Sequence, residues 1–480
     1  RVSLLPLRAI RDRLAARLPL PGSAPRDAPD RQRTLERAIA WSHDLLEPDG
    51  QGLLHELAVF DGGFDLEQAV AVCGERAFDG IATFVEQSLV TREPDDPAGG
   101  VRFRLLQTIR AFALDRLVAD GGEPDARRRH ALAYLALAER AAAHLPGRDQ
   151  PRWLDRLAQD HANLRAATRW AIDAGEAELA LRLVAALWRY WQLDGHLHEG
   201  RDLAEAALAM PGAEAPTPAR LAAVTAAGGI AYWRSEREDA ERRYLEEFEL
   251  ATQLGDDVSA ADAVFNRVFT RYISGDVTEA LDLIDDAERR YRALGDERGL
   301  ARLEWSRATI ELQSGNSHGA IPRFEHSLVM FEATDDVLYH AMALGSLAWA
   351  HWMLGDARAA GRWLLRSVEE TREMRDIASL TISLPALAVY AMEAGEPEAA
   401  AMLMGAFASL KEQYGIEAPA GIDFLTNTRR PVERARDDLG QSRYQAAFER
   451  GRRMTLEQAL DLLDGFEASP GPDERATAAQ

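Results

Sequence analysis

The 480-residue sequence predicts a mainly α protein: a winged-helix domain with a small β-hairpin, followed by an α-solenoid of tetratricopeptide-like helical hairpins. Three observations carry that prediction. Residues 33–120 read as several short helices, two strands joined by a tight turn, and a last helix, which is the element order of a winged helix. Beyond residue 117 apolar residues recur at helical spacing with little interruption. Within that region, columns of like residues repeat every 40 positions: Ala240, Ala280, Ala320, Ala360 and Ala400, each preceded five residues earlier by Ser235, Gly275, Gly315, Gly355 or Gly395.

The elements follow in order. Residues 1–18 have Leu and Ile at helical spacing, and LPLPGSAPRDAPDRQ then supplies four prolines, which cannot continue a helix. Residues 1–32 are therefore a helix and a Pro-rich linker. TLERAIAWSHDLL resumes the pattern with Leu35, Ile39 and Leu46 on one side, and a second short helix runs on to a β-like AVF at 58–60. Helices are predicted over Phe64–Cys73 and Phe78–Leu89. The strands LVTRE and VRFRLL flank PDDPAGG, a strong turn composition, and Arg102–Leu117 passes from strand directly into helix. Residues 33–120 thus form the winged helix, and 121–215 a helical linker with the first hairpins.

The 40-residue period defines residues 216–415. Asp256, Asp296, Asp336 and Asp376 keep it, as do Tyr244, Ile284, Phe324, Leu364 and Met404. A helix ends at the glycine, whose freedom to take positive φ suits a C-cap. A second helix begins, its alanine allowing close approach, and the bulky residue four positions on fills the space between units. LGD at 254–256 and 294–296 closes the second helix. Five such hairpins stack as a solenoid, residues 416–468 cap it with helices, and 469–480 form a polar, disordered tail.

Composition narrows function. The formal charge is −22, which repels phosphate backbones. The helix placed to read DNA, FDGIATFVEQSL, holds Asp79 and Glu86 and no Lys or Arg, so the winged module reads as a protein-facing wing. No direct nucleic-acid partner is expected. Lys411 is the sole lysine and lies in a helical stretch, so the chain has no P-loop, which needs a lysine for the β/γ-phosphates. There is no H-E-x-x-H either, and we expect no enzyme, no cofactor and no metal in this fragment. Cys73 reads as a small core residue. His196, His198 and Glu199 read as a solvated turn between helices, because no further ligand group is spaced to join them. Arg127–Arg129 read as a solvated helix start, and the ten tryptophans as interface fillers. No membrane span is present, and a cytoplasmic location is expected.

Superposing the repeats puts Arg267 and Arg307 in one column, with Arg271, Glu311 and His351 four residues on. Both columns lie on the first helix of each hairpin, the helix that lines the inner face of such arrays. This polar stripe is the expected site for a protein or small-molecule inducer.

Several segments together resemble the regulatory half of actinobacterial NB-ARC/STAND-type proteins: RTLERAIAWSHDLL, LAVFDGGFDLEQAVAVCG, VEQSLVTRE, FRLLQTIRAFALDRL, RRRHALAYLALAERA and LDRLAQDHANLRAATRWAI, in that order. The array and the tail LMGAFASLKEQYGI…YQAAFERGRRMTLEQALDLL are similar to the C-terminal portions of the same family. The resemblance implies that residues 1–32 end an NTPase-associated helical region, and that a P-loop NTPase binding ATP or ADP precedes them in a longer parent. The chain begins at Arg rather than Met, as a fragment of such a parent would. The effector is then a class III adenylate/guanylate cyclase domain, an activator-type DNA-binding domain, or a LuxR-type helix-turn-helix; an N-terminal effector is favoured. In that scheme the winged helix lies against the nucleotide in a closed state, and an inducer on the repeats favours an open, often oligomeric one. The plant and animal relatives carry His where this sequence has Leu106, whose side chain offers no donor; Gln107 is the nucleotide-proximal contact the resemblance leaves. The resulting reading is the signal-sensing, switch-transmitting part of a STAND-type regulator. Its alternative is a stand-alone tetratricopeptide-like adaptor that scaffolds proteins without a nucleotide switch.

Overall fold

A computed structural model describes residues 35–93, 100–417 and 429–463, arranged as two compact units, Arg1–Ala133 and Tyr134–Gln480. The helix and linker expected over 1–32, most of the PDDPAGG turn and the tail at 469–480 lie outside the described residues.

The first unit contains α1 (Leu35–Asp44), α2 (Pro48–Leu57), β1 (Gly63–Asp65), α3 (Leu66–Cys73), α4 (Arg76–Glu86), β2 (Val90–Arg92), β3 (Arg102–Leu105) and α5 (Gln107–Ala119). The two expected strands pair, Thr91 opposite Arg104, and a third joins them, giving the antiparallel order β1-β3-β2 with Phe64 opposite Phe103. That third strand is not the AVF segment. Val59 and Phe60 are buried just after α2, and the strand forms at Gly63–Asp65 instead. The local cause is Asp65, which accepts from Gln68 N at 2.8 Å while the Gln68 side chain accepts from Asp65 N, a capping box that fixes where α3 begins. Arg102 is buried and donates to Gly63 O at 3.0 Å, tying β1 to β3. Leu54, Leu57, Phe60, Phe64 and Phe84 form the core.

α6 (Glu123–Ala142) runs into the second unit. After α7 (Gln150–Gln159) and α8 (His161–Asp173) come paired helices: α9 (Ala177–Leu193) with α10 (Leu197–Leu208), α11 (Pro218–Trp233) with α12 (Arg237–Leu254), α13 (Asp257–Ile273) with α14 (Val277–Leu294), α15 (Glu297–Gln313) with α16 (Ser317–Thr334), α17 (Val337–Met353) with α18 (Ala357–Glu373), and α19 (Ile377–Glu393) with α20 (Pro397–Tyr414). α21 (Arg429–Leu439), α22 (Gln441–Gly451) and α23 (Leu456–Leu460) pack on the last pair.

The repeat columns have defined jobs. Gly275, Gly315, Gly355 and Gly395 all take φ between 80° and 87°, and Ser235 takes 56°. Ala240, Ala280 and Ala320 have no exposed surface, and Phe324 and Ile284 beside them are fully buried. The aspartates differ from the expectation: they do not close a helix but open the next one. Gly255 and Gly295 close α12 and α14 in the left-handed conformation, whereas Asp256, Asp296, Asp336 and Asp376 accept the N–H of Ser259, Gly299, Tyr339 and Ser379. A second capping column, Asp276, Asn316 and Asp356, opens the partner helices.

The second unit also closes on itself. Arg148 Nε lies 3.1 Å from Asp335, Gln150 Nε2 donates to Met374 O at 2.6 Å, and Arg375 pairs with Asp155. At the other rim, Glu417 N donates to Trp233 O at 3.1 Å and Arg234 donates to Gly415 O at 3.4 Å. The start of the array thereby meets its end, around an inner face built from α9, α11, α13, α15, α17 and α19.

Candidate functional site

The inner face is apolar and aromatic. A cavity of about 1050 Å³, counting the open space at its mouth, is lined by Tyr232, Phe269, Tyr272, Trp305, Met342, Ile382 and neighbours from α11, α13, α15, α17, α18 and α19. An aromatic chain runs along it: Phe269 lies 5.4 Å from Trp305, and Trp305 5.4 Å from Tyr339. The serine and threonine hydroxyls in the wall are spent internally. Thr309 bonds Trp305 O, Ser367 bonds Ala341 O, Ser383 bonds Ser379 O, and Ser346 accepts from Trp305 Nε1. The wall therefore offers an occupant mainly ring faces and methyl groups, the surface expected of a small-molecule site.

Polar groups cluster at one side. Arg302 grips Asp336 with two hydrogen bonds, 2.9 and 2.7 Å, and lies over the Tyr339 ring. Burial works against the Arg302 charge, but Tyr339 and Asp336 more than offset it and raise its pKa. Asp376 caps Ser379, bonding both its N (2.9 Å) and its Oγ (2.6 Å), and burial raises its pKa. Burial likewise keeps the Tyr232 and Tyr339 phenols protonated.

The stripe expected to bind faces elsewhere. At 100° per residue, Arg267, Arg271, Arg307, Glu311 and His351 sit roughly 105–175° around their helices from the mean direction of the cavity-lining positions, and none of them lines the cavity. Arg267 and Arg271 both hold Glu241 (3.0 Å each) and approach Glu279; Arg307 holds Asp285 (2.7 Å) and Glu288 (2.8 Å). Glu311 accepts from Arg323 at 3.0 Å, and His351 lies 3.9 Å from Asp356. Burial pushes Glu241 upward, yet the hydrogen bonds from Thr270, Arg271 and Arg267 outweigh it and lower its pKa. The stripe knits each first helix to its flanking second helices. The sequence showed the period but not which side of the helix turns inward.

In the GHLHEG segment His198 is exposed, as a solvated turn would have it, while His196 and Glu199 are half-buried in a packing junction. His196 stacks on His161 at 4.2 Å, His198 bonds Arg234 (3.0 Å) and Glu412 O (3.2 Å), and Glu199 faces His161 and Arg165. Among the described residues no group of three or more His, Cys, Asp or Glu is placed to hold a metal. Cys73 is buried at the end of α3, and burial pushes its thiol far up, which suits a core residue. Arg129 is not purely solvated: it donates to Val72 O at 2.7 Å and pairs with Glu56.

In the winged helix, α4 turns Phe78, Asp79, Thr83 and Glu86 outward, with Phe78 61 % exposed. Its one cation, Arg76, is engaged by Glu56 at 2.6 Å and Cys73 O at 3.1 Å. Gly80 lets this helix lie against α2, since a Cβ there would meet Leu53 Cδ2 at 2.1 Å. Leu106 and Gln107 are exposed at the start of α5. No described helix is long and apolar enough to cross a membrane.

A family model described as a winged helix-turn-helix domain matches residues 46–118. A Mycobacterium tuberculosis protein bearing the name "Putative HTH-type transcriptional regulator" is 40% identical over 182 residues, 36% of this chain and 20% of that protein. An uncharacterized protein of the same organism is 39% identical over 102 residues, 20% of this chain and 25% of its own length. The chain thus matches a fifth to a quarter of the length of these relatives. Among solved structures, it is similar to a Pyrococcus horikoshii signal transduction ATPase with numerous domains that carries a tetratricopeptide repeat sensor (TM-score 0.43, 13% identity, 90% of this chain and 67% of that one). It is also similar to NprR in complex with its cognate peptide NprX (TM-score 0.42, 16% identity, 66% of this chain and 92% of that one). With both TM-scores below 0.5, neither likeness bears on function.

Proposed function

We propose that this chain is the sensing and transmitting part of a transcriptional or cyclic-nucleotide regulator: its closed helical array takes an inducer on the inner face, and its winged helix docks against protein. The observation that carries the reading is the aromatic cavity of about 1050 Å³ inside an array whose two ends are joined. The cavity is lined by five successive hairpins, so the binding energy of a ligand there is coupled to their relative placement. The named relative supports a regulator, and the outward Phe78, Asp79 and Glu86 of α4 favour a protein partner over DNA. A nucleotide-binding parent, with Gln107 near the nucleotide, belongs to the same proposal and rests on the sequence resemblance. The polar stripe of Arg267, Arg271, Arg307, Glu311 and His351 is read as a brace between hairpins.

A cavity-filling variant tests this. A Cβ at Gly345 would meet only Ser367 Oγ, at 3.5 Å, so Gly345→Leu extends into the cavity with little backbone conflict. In a thermal-shift screen of small apolar metabolites, stabilising compounds should lose their effect on G345L. Compounds that stabilise both proteins equally would place binding outside the inner face. Retention of a 20-bp duplex by the chain at low salt would overturn the protein-facing reading of the winged helix.

A further inference from the structure

The inner face has one cation whose surroundings are arranged unlike those of its neighbours. Arg189, near the end of α9, lies in the repeat column of Gly229, Phe269 and Thr309, the last two of which line the cavity. Its guanidinium stacks on Trp188, 4.0 Å from the ring centroid, and donates to Gln192 Oε1 at 3.0 Å. Among the described residues it makes no ion pair. Of the carboxylates whose charge it feels, Asp336 is paired with Arg302, while Asp376 is held by hydrogen bonds from Ser379 and feels Arg189 without forming an ion pair to it. Part of its surface remains accessible although burial lowers its pKa, the pattern of a group facing an internal space rather than packed in a core.

Two features hold it there. Trp188 lies against Gly229, where a Cβ would come within 2.7 Å of the indole, so the glycine makes room for the ring under the guanidinium. Gln192 has no exposed surface and gives its carbonyl to Arg189, while its Nε2 finds no acceptor. An orphaned buried donor is costly, and here it accompanies the orientation of a side chain that has no acid of its own. Nearby, the hydroxyls of Tyr232 and Tyr339 make no hydrogen bond to a described residue. Arg189 and Tyr339 are not among the cavity's lining residues, but Arg189 is within electrostatic reach of Tyr339, whose ring lies 5.4 Å from Trp305 of the wall. An apolar wall with a planar cation and neutral donors beside it is the complement of a carboxylate carried on an apolar group.

We propose that the inner face binds an apolar or aromatic carboxylic acid, with the Arg189 guanidinium donating to its carboxylate and the Phe269–Trp305 wall as the seat of its apolar part. This rests on the inner-face reading above and adds the ligand's chemistry. Two fluorescent probes with the same arene separate the two ideas: 1-pyrenebutyrate and its uncharged counterpart 1-pyrenebutanol, titrated into the intact chain. The butyrate should bind more tightly by about tenfold or more, the value of a charge-assisted pair. Arg189→Gln should abolish that preference and Arg189→Lys restore part of it, while Arg307→Gln, on the outer stripe, leaves it intact. Thermal melts of each variant show that it is folded. Equal binding of the two probes, or a preference that survives in R189Q, overturns the carboxylate assignment alone; binding of neither probe overturns the inner-face reading as well. Competition names the source. Displacement by N-acetyl-Trp-Phe but not by its C-terminal amide assigns a peptide terminus, displacement by dodecanoate assigns a free acid, and displacement by the amide as readily as by the acid overturns the proposal.

Discussion

Ser235 stands in the repeat where glycine stands at 275, 315, 355 and 395, and it takes a left-handed backbone at φ 56°. An L side chain pays about 1–2 kcal/mol for that conformation, partly offset by the greater unfolded-state freedom of glycine. Ser235→Gly should therefore stabilise the chain by about 0.5–1 kcal/mol, read as a higher urea midpoint with unchanged slope. Glu247 is a second informative residue. It is 1 % exposed, and burial pushes its carboxyl up to about 8, with Asp262 and Asp256 adding to the shift and bonds from Thr225 and Asn266 opposing it. A carboxyl raised in the folded state holds a proton that the unfolded chain releases, so its contribution to stability is complete below the ordinary Glu value and is lost as pH rises toward 8. Glu247→Gln should remove that loss. Its melting temperature should exceed that of the wild type by about 2 °C or more at pH 8, and the difference should shrink toward pH 5. A difference independent of pH would mean that Glu247 is ionised in the fold. Ser235 stands out in the sequence as the exception in the glycine column, whereas Glu247 does not, because its shift depends on burial and on Asp262, Thr225 and Asn266, which the fold brings to it.

At the level of single elements, helix ends were the most legible part of the chain. Glycine and aspartate act within one turn of their own position, so their columns alone place the hairpins. The exchange of roles at Gly255 and Asp256 shows the limit of that reading: the glycine closes one helix and the aspartate opens the next. The third strand escaped because its signal is three residues long and only the Asp65–Gln68 box fixes its end. The two kinds of capping aspartate should behave differently. Asp296 only caps, and Asp296→Ala should cost about 1 kcal/mol. Asp336 is 2 % exposed and also neutralises Arg302, so Asp336→Ala strands a buried cation and should cost about 3 kcal/mol or more. Equal losses in urea unfolding would contradict the role assigned to the Arg302 pair.

Across the whole molecule, the winged helix and the repeat array were readable because both rest on periodic or local patterns. The working face was not. Phe269, Trp305 and Tyr339 look in sequence like ordinary core residues, and only the closure of the array through contacts such as Arg148–Asp335 and Glu417–Trp233 turns their face into the wall of an enclosed space. The polar stripe, by contrast, looked like a binding surface; we read it as bracing, since its arginines and Glu311 pair with groups on neighbouring helices. The central claim is that the array receives its ligand inside. Hydrogen exchange of the chain with and without saturating 1-pyrenebutyrate tests it most directly. The account predicts slowed exchange in α13, α15, α17 and α19, with α1–α5 unchanged apart from any allosteric response. Protection confined to α12, α14 and α16, or to the winged helix, would contradict it.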